Sequence, residues 1–202
     1  MKRKPSHVVP VRSPRLHYHE VPGVWAQLQM RPEITARALQ LIILSACRST
    51  EVLHARWRDI DWSNQVWTIP AADMKSARDH SVPVAPAMAV LLGGLRGLSL
   101  EWVIPRGRLD HPIPCVRLIS LLRSIGCYGI TPYVFRRCFY DWAIAQVDYQ
   151  EDVVSRALAH DGLLLPSDPA LWADLLNQQR RLMHAWSVYC LADSPLARFA
   201  EG

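Results

Sequence analysis

Four side chains in this 202-residue chain are hydrogen-bond donors of the types that meet negative charge, and they fall at places a core would not choose: Arg48, Lys75, Arg136 and His160. Arg48 follows a mostly apolar run, "ITARALQLIILSAC", where a charge is costly unless a partner neutralises it. Lys75 lies in "AADMKSARDH", between two β-like runs, where a long flexible side chain can reach over a cleft. Arg136 falls near the start of "TPYVFRRCFYDWAIAQV", and His160 closes "EDVVSRALAH". Each also has an ordinary structural account. Arg48 has Glu51 three residues on, Lys75 has solvent, Arg136 has a surface neighbour in Arg137, and His160 has a helix C-terminus whose dipole favours it.

The elements that must position these residues are mostly helical. "ITARALQLIILSAC" is apolar nearly all round, as a buried helix is, and "EVLHARW" begins a second, short one. "QVWTIP" (65–70) and "HSVPV" (80–84) alternate and are β-branched, so they read as a hairpin with a long loop carrying Lys75. "APAMAVLLGGL" reads as a helix, "EWVIP" as a short strand, and "CVRLISLLRSIG" as a helix ended by Gly126. Thr131 as cap and Pro132 in the first turn open the helix that carries Arg136. "EDVVSRALAH" is another helix. Asp168 as cap and Pro169 at the first helical position open a long final helix, with Leu171, Leu175, Leu182, Trp186 and Tyr189 near one face. The expected fold class is mainly α with a small antiparallel β-sheet.

Composition bounds the function. Half the residues are apolar and a fifth are charged, which is globular composition, and no apolar run of 18 or more residues suggests a membrane span. The N-terminus has no apolar segment of a secretory signal. Five scattered cysteines (Cys47, Cys115, Cys127, Cys138 and Cys190) form no C-x-x-C pair, which fits a reducing cytoplasm better than a disulfide framework or a zinc site. Of the net charge of +5, Lys2, Arg3, Lys4, Arg12 and Arg15 against Glu20 place +4 in the first 20 residues, leaving about +1 for the rest. That arm is either a phosphate-contacting segment or a solvated tail. The prolines at 5, 10, 14 and 22 mark residues 1–22 as a basic linker, with a folded domain over 23–192 and a tail over 193–202.

The order of the motifs is more specific than any one of them. Arg-x-x-Glu ("ACRSTEVLHARW"), the hairpin lysine ("MKSARDHSVPV"), the helical arginine ("PYVFRR") and "LAH" about 24 residues later resemble the catalytic domain of the tyrosine recombinases, most closely the P4-type phage and prophage integrases. "DIDWSNQVWTIP" and "RRLMHAWSVYC" resemble that subfamily's wording too, so the likeness runs from about Pro22 to Cys190. It implies that fold and a chemistry in which a tyrosine attacks a DNA phosphodiester, holds a 3′-phosphotyrosine and passes the strand to a new 5′-hydroxyl. Arg48 and Arg136 match the arginines that hold the non-bridging oxygens. Lys75 matches the lysine that protonates the leaving 5′-oxygen, and His160 a histidine that donates to the phosphate. No metal and no small-molecule cofactor are implied, which leaves the His17–His19 pair incidental.

Two positions depart from the family. The second arginine usually follows a histidine as His-x-x-Arg, and here Tyr133 stands at the histidine position; a phenol donates one hydrogen bond but is a poor proton acceptor at neutral pH. The nucleophilic tyrosine is expected about ten residues after the "LAH" histidine and four before Asp-Leu-Leu, and both counts land on Ala170. The longer integrases also carry arm-binding and core-binding domains, so the reading is of a truncated catalytic domain unable to form the covalent intermediate. Lys2, Arg3, Lys4, Arg78 and Arg137 are the expected further DNA-binding cations. The implied partners are double-stranded DNA and other recombinase subunits, in the cytoplasm, with no membrane. The alternative is a non-catalytic DNA-binding or protein-interaction remnant that modulates a complete recombinase.

Overall fold

The computed structural model describes residues 15–74, 77–105, 111–146, 149–159 and 168–192. Within them the helices are α1 (Val21–Gln29), α2 (Ile34–Ser45), α3 (Ser49–Leu53), α4 (Pro86–Leu95), α5 (Cys115–Ser124), α6 (Val134–Ala145), α7 (Glu151–Ala157) and α8 (Pro169–Leu191). Three strands, β1 (Ile60–Asp61), β2 (Val66–Ile69) and β3 (His80–Pro83), form an antiparallel sheet in the order β1-β2-β3. The chain is mainly α with this one small sheet, the class expected from the periodicity.

α2 is apolar all round because it lies at the centre: α1, α3, α4, α5, α6 and α8 all pack against it. Residues 38–44 of α2 are each essentially inaccessible to solvent. A helix buried on every side cannot use a polar face for its ends, so its last turn is satisfied locally. Ser45 Oγ donates to the Leu41 carbonyl, the Cys47 amide donates to Ser45 Oγ, and Ala46 takes a left-handed conformation with φ 51°. α8 is pinned to the same helix from outside. Trp186 is fully buried, and its indole N–H donates to the Ile43 carbonyl at 2.8 Å. Its ring meets Phe139 edge-on, with centroids 5.5 Å apart, which ties α8 to α6.

β2 and β3 pair in the register Trp67↔Val82 and Ile69↔His80. A strand's side chains alternate between faces, so His80, Val82 and the following Val84 all point inward, and all are buried.

The elements differ from expectation at several points. α1 fills a stretch assigned to no element, and its first two residues fall in the expected linker: Pro22 sits in its first turn, where a missing N–H breaks no helical hydrogen bond. Packing reaches back further still, since Leu16 lies against the core and its carbonyl accepts from Cys138 Sγ. "EWVIP" forms no strand; its backbone meets residues 55–57 in two hydrogen bonds flanking an isolated Arg56↔Trp102 bridge. α3 starts at Ser49 and ends at Leu53, and Trp57–Asp59 form a separate 3-10 turn. Thr131 and Pro132 form the turn before α6, which begins at Val134. Leu171 is exposed rather than part of the buried stripe of α8, which starts at Leu175.

Candidate functional site

Arg48 is the residue just before α3, and its extended backbone turns the chain out of α2. Glu51, in the first turn of α3, reaches back with both oxygens. One accepts from the Arg48 backbone N–H and the other from its guanidinium, each at 2.6 Å. The Glu51 side chain is 2% exposed and that of Arg48 is 27% exposed. The ordinary account of Arg48, a pair with Glu51, is therefore realised, yet part of the guanidinium still faces solvent. A planar guanidinium has five N–H donors, so one partner does not exhaust it.

Arg136, on the first turn of α6, is 4% exposed. It does not lie on the surface beside Arg137. Its guanidinium donates to the Ala46 carbonyl at 2.7 Å and to the Leu158 carbonyl at 2.5 Å. Those carbonyls lie two residues before Arg48 and two before His160, so one fork ties the end of α2 to the end of α7. Burial pushes the Arg136 pKa below the arginine value; Arg48 pushes the same way, while Cys47, Glu51 and Tyr133 oppose it. Arg48, Glu51, Arg136 and Tyr133 thus share one neighbourhood. Cys47 is in it as an inert thiol, its pKa raised to about 12, first by burial and then by Glu51.

The other expected site residues divide. Tyr133 precedes α6 and is 67% exposed, one turn before Arg136. Ala170 is in the exposed first turn of α8, and its N–H donates to Asp168 Oδ1 at 2.8 Å, the cap the sequence implied. Arg78 is exposed beside the hairpin loop. Arg137 points away from Arg136's clamp and holds the Asp141 carboxylate on the next turn. Lys75 and His160 lie outside the described residues, as do Lys2, Arg3 and Lys4.

One member of the cluster was missed by sequence reasoning. His80, on β3, is 7% exposed, and its ring bonds to the backbone of Ala157 in α7. Its pKa is lowered to about 4, chiefly by burial and then by Arg136 and Arg48, against the opposing pull of Glu51 and of the Ala157 bond. The signal was present: in "HSVPV" the inward register of Val82 and Val84 includes His80. A depression of about 330 Å³ elsewhere on the hairpin is lined by Asp59, Asp61 and Asp79 together with Arg58. Three carboxylates make it a poor place for a phosphate.

No protein-family model matches the chain. Among curated proteins it is 30% identical over 148 residues to prophage integrase IntA of Escherichia coli K12, a match covering 72% of this chain and 36% of the relative. It is 26% identical over 179 residues to the integrase of Enterobacteria phage P4, covering 77% of this chain and 40% of that one. The chain therefore spans between about a third and two-fifths of the length of the curated relatives it matches. Its fold matches λ integrase, solved as a dimer bound to a COC′ core site, with a TM-score of 0.58 at 16% identity over 83% of this chain and 62% of that one. XerA recombinase matches with the same TM-score at 14% identity, over 89% of this chain and 66% of that one. A helical domain built around one buried helix, with an arginine at that helix's exit and another clamped beneath it, and with relatives that are phage and prophage integrases, belongs to the tyrosine recombinase family.

Proposed function

We propose that the chain binds duplex DNA by seating one backbone phosphate on Arg48 and Arg136, with Lys75 and His160 joining from the hairpin loop and the end of α7. By descent the reaction is strand cleavage and rejoining, in DNA integration and recombination. Ala170 has no oxygen to attack with, so this chain holds a phosphate without entering the covalent step. One observation carries the reading: two guanidiniums on different elements act on each other across one buried network, Arg136 fixed by carbonyls and Arg48 partly open. Like charges placed together favour an anion between them. The relatives' names and the COC′ core site of the λ integrase structure support the same ligand class.

The test is duplex binding by fluorescence anisotropy at low salt, comparing the chain with Arg48→Gln. A charge-assisted hydrogen bond contributes about 1.5–3 kcal/mol, so the variant should bind about tenfold or more weakly while its thermal unfolding shows the fold retained. Equal binding by the folded variant would remove Arg48 from the interface.

A further inference from the structure

The two hydrogen bonds of the Arg136 guanidinium go to the ends of two other helices. One terminal nitrogen donates to the Ala46 carbonyl at 2.7 Å and the other to the Leu158 carbonyl at 2.5 Å. Ala46 directly follows α2, and Leu158 directly follows α7. Both ends are also strained. Ala46 has φ 51° and Ala159, next after Leu158, has φ 47°, two of the four non-glycine residues with positive φ among the described residues. A helix that leaves through the left-handed region usually does so on glycine, because a Cβ there crowds the following carbonyl. An alanine keeps such a turn only where its surroundings hold it. One buried arginine is bonded at both.

Arg48 comes two residues after Ala46, in extended backbone, so the direction in which the chain leaves α2 sets where its guanidinium stands. The two arginines are not equally open. Arg136 is 4% exposed and has already given two of its five N–H donors to carbonyls, whereas the Arg48 side chain is 27% exposed. The outward contact with a phosphate falls first to Arg48, and Arg136 lends charge from behind. We propose that Arg136 is also the positioning residue of the anion site: its fork holds the left-handed ends of α2 and α7 together, and through the first of them it keeps Arg48 where a phosphate can meet it. The left-handed alanines make this arrangement depend on the fork, since neither residue favours its own backbone conformation. This inference rests on the phosphate-binding reading above and gives Arg136 a task in it besides charge.

The test is a mutant cycle on affinity for a short duplex at low salt, with thermal unfolding to check each fold. Arg136→Lys keeps the charge, but a compact ammonium does not span two carbonyls as a planar fork does. If Arg136 acts through Arg48, the penalty of Arg48→Gln depends on the fork. That penalty should be about tenfold in the unmodified chain and below about threefold in Arg136→Lys. Arg136→Ala adds a rescue. Methylguanidinium should restore affinity and the Arg48 penalty with it, whereas methylammonium at equal concentration should restore neither. A merely structural role would lower the unfolding temperature without making the Arg48 penalty disappear and return. Ala159 gives an independent arm with both arginines intact. Ala159→Gly suits the left-handed turn and should bind as the unmodified chain does. Ala159→Val puts a branched side chain where positive φ suits it least, so binding should weaken and the Arg48 penalty should shrink although no donor has been removed. An undiminished Arg48 penalty in folded Arg136→Lys or folded Ala159→Val would overturn the positioning role and leave the phosphate site standing. No duplex binding by the unmodified chain, or no Arg48 penalty in it, would overturn the phosphate reading itself. If the Arg136 variants do not fold, the Ala159 pair decides alone.

Discussion

Arg136 was visible in the sequence as a charge out of place, but not as a clamp. Its acceptors are the carbonyls of Ala46 and Leu158, and a backbone acceptor leaves no mark on residue type. Arg48 differs, because its partner Glu51 is a side chain at a spacing that can be read. His80 hid for a third reason: a histidine in an alternating strand looks like any inward residue until its neighbours are known. Its burial has a consequence for stability that needs no ligand. The folded pKa is about 4 against an ordinary 6.5, so below pH 6.5 the unfolded chain binds the proton and the folded chain does not. Stability contributed by the neutral ring is complete above pH 6.5 and is lost progressively as pH falls toward 4. The span corresponds to a loss of about 2–4 kcal/mol. Urea denaturation in anion-poor buffer at pH 7 and pH 4.5 should show that decline, and His80→Gln should remove most of it. An unchanged slope in the variant would mean that other groups carry the acid sensitivity.

Among the elements, those resting on long periodic runs were legible, and those resting on a few tertiary bonds were not. α2 follows from a long, mostly apolar run, and the β2–β3 hairpin from alternation bounded by turn residues. The "EWVIP" segment has strand-like residues, but its backbone pairs at a single isolated bridge, and Arg56, over the Trp102 ring and paired with Asp73 and Glu101, adds side-chain contacts instead of a longer ladder. α8 shows both behaviours: its cap was readable at Asp168 and Pro169, whereas the exposure of Leu171 depended on where the packed face begins. The start of α8 also sets a chemical prediction. Ala170 is exposed on a capped first turn, so Ala170→Tyr should alter stability by less than about 0.5 kcal/mol. A nucleophilic enzyme without its nucleophile loses on the order of 10⁶ in rate, and the unmodified chain should leave no covalent adduct on a nicked suicide duplex. Ala170→Tyr with Tyr133→His rebuilds the family's motif and should yield a 3′-phosphotyrosine band on a denaturing gel. Ala170→Tyr alone should do so more slowly, because a phenol at 133 donates but accepts a proton poorly. An adduct from the unmodified chain would place the nucleophile elsewhere. A blank from the folded double variant would favour a remnant that binds DNA without cutting it.

At the scale of the whole molecule the question is how much of the affinity is specific geometry and how much is charge. The arginine site lies within a body whose net charge is about +1, while residues 1–20 carry +4 of the total +5. The matched part covers 36–40% of the curated relatives' length. With its cations gathered in the arm and at the arginine cluster, this chain should bind with the phosphate term dominant. Each neutralised phosphate releases condensed counterions, giving a slope of about −0.9 in the logarithm of affinity against the logarithm of salt. The arm and the site together supply roughly 4–6 such contacts, so the slope should be about −4 to −5. Two further measurements separate the sources. Deleting residues 1–15 removes five cations and should make the slope shallower, whereas Arg48→Gln should cost affinity with a change in slope of about one. Competition with unrelated duplex should be nearly equal to competition with any candidate core site. A slope near zero would remove DNA from first place as the ligand. A slope unchanged by the deletion would assign the arm to solvent and the whole electrostatic footprint to the folded domain.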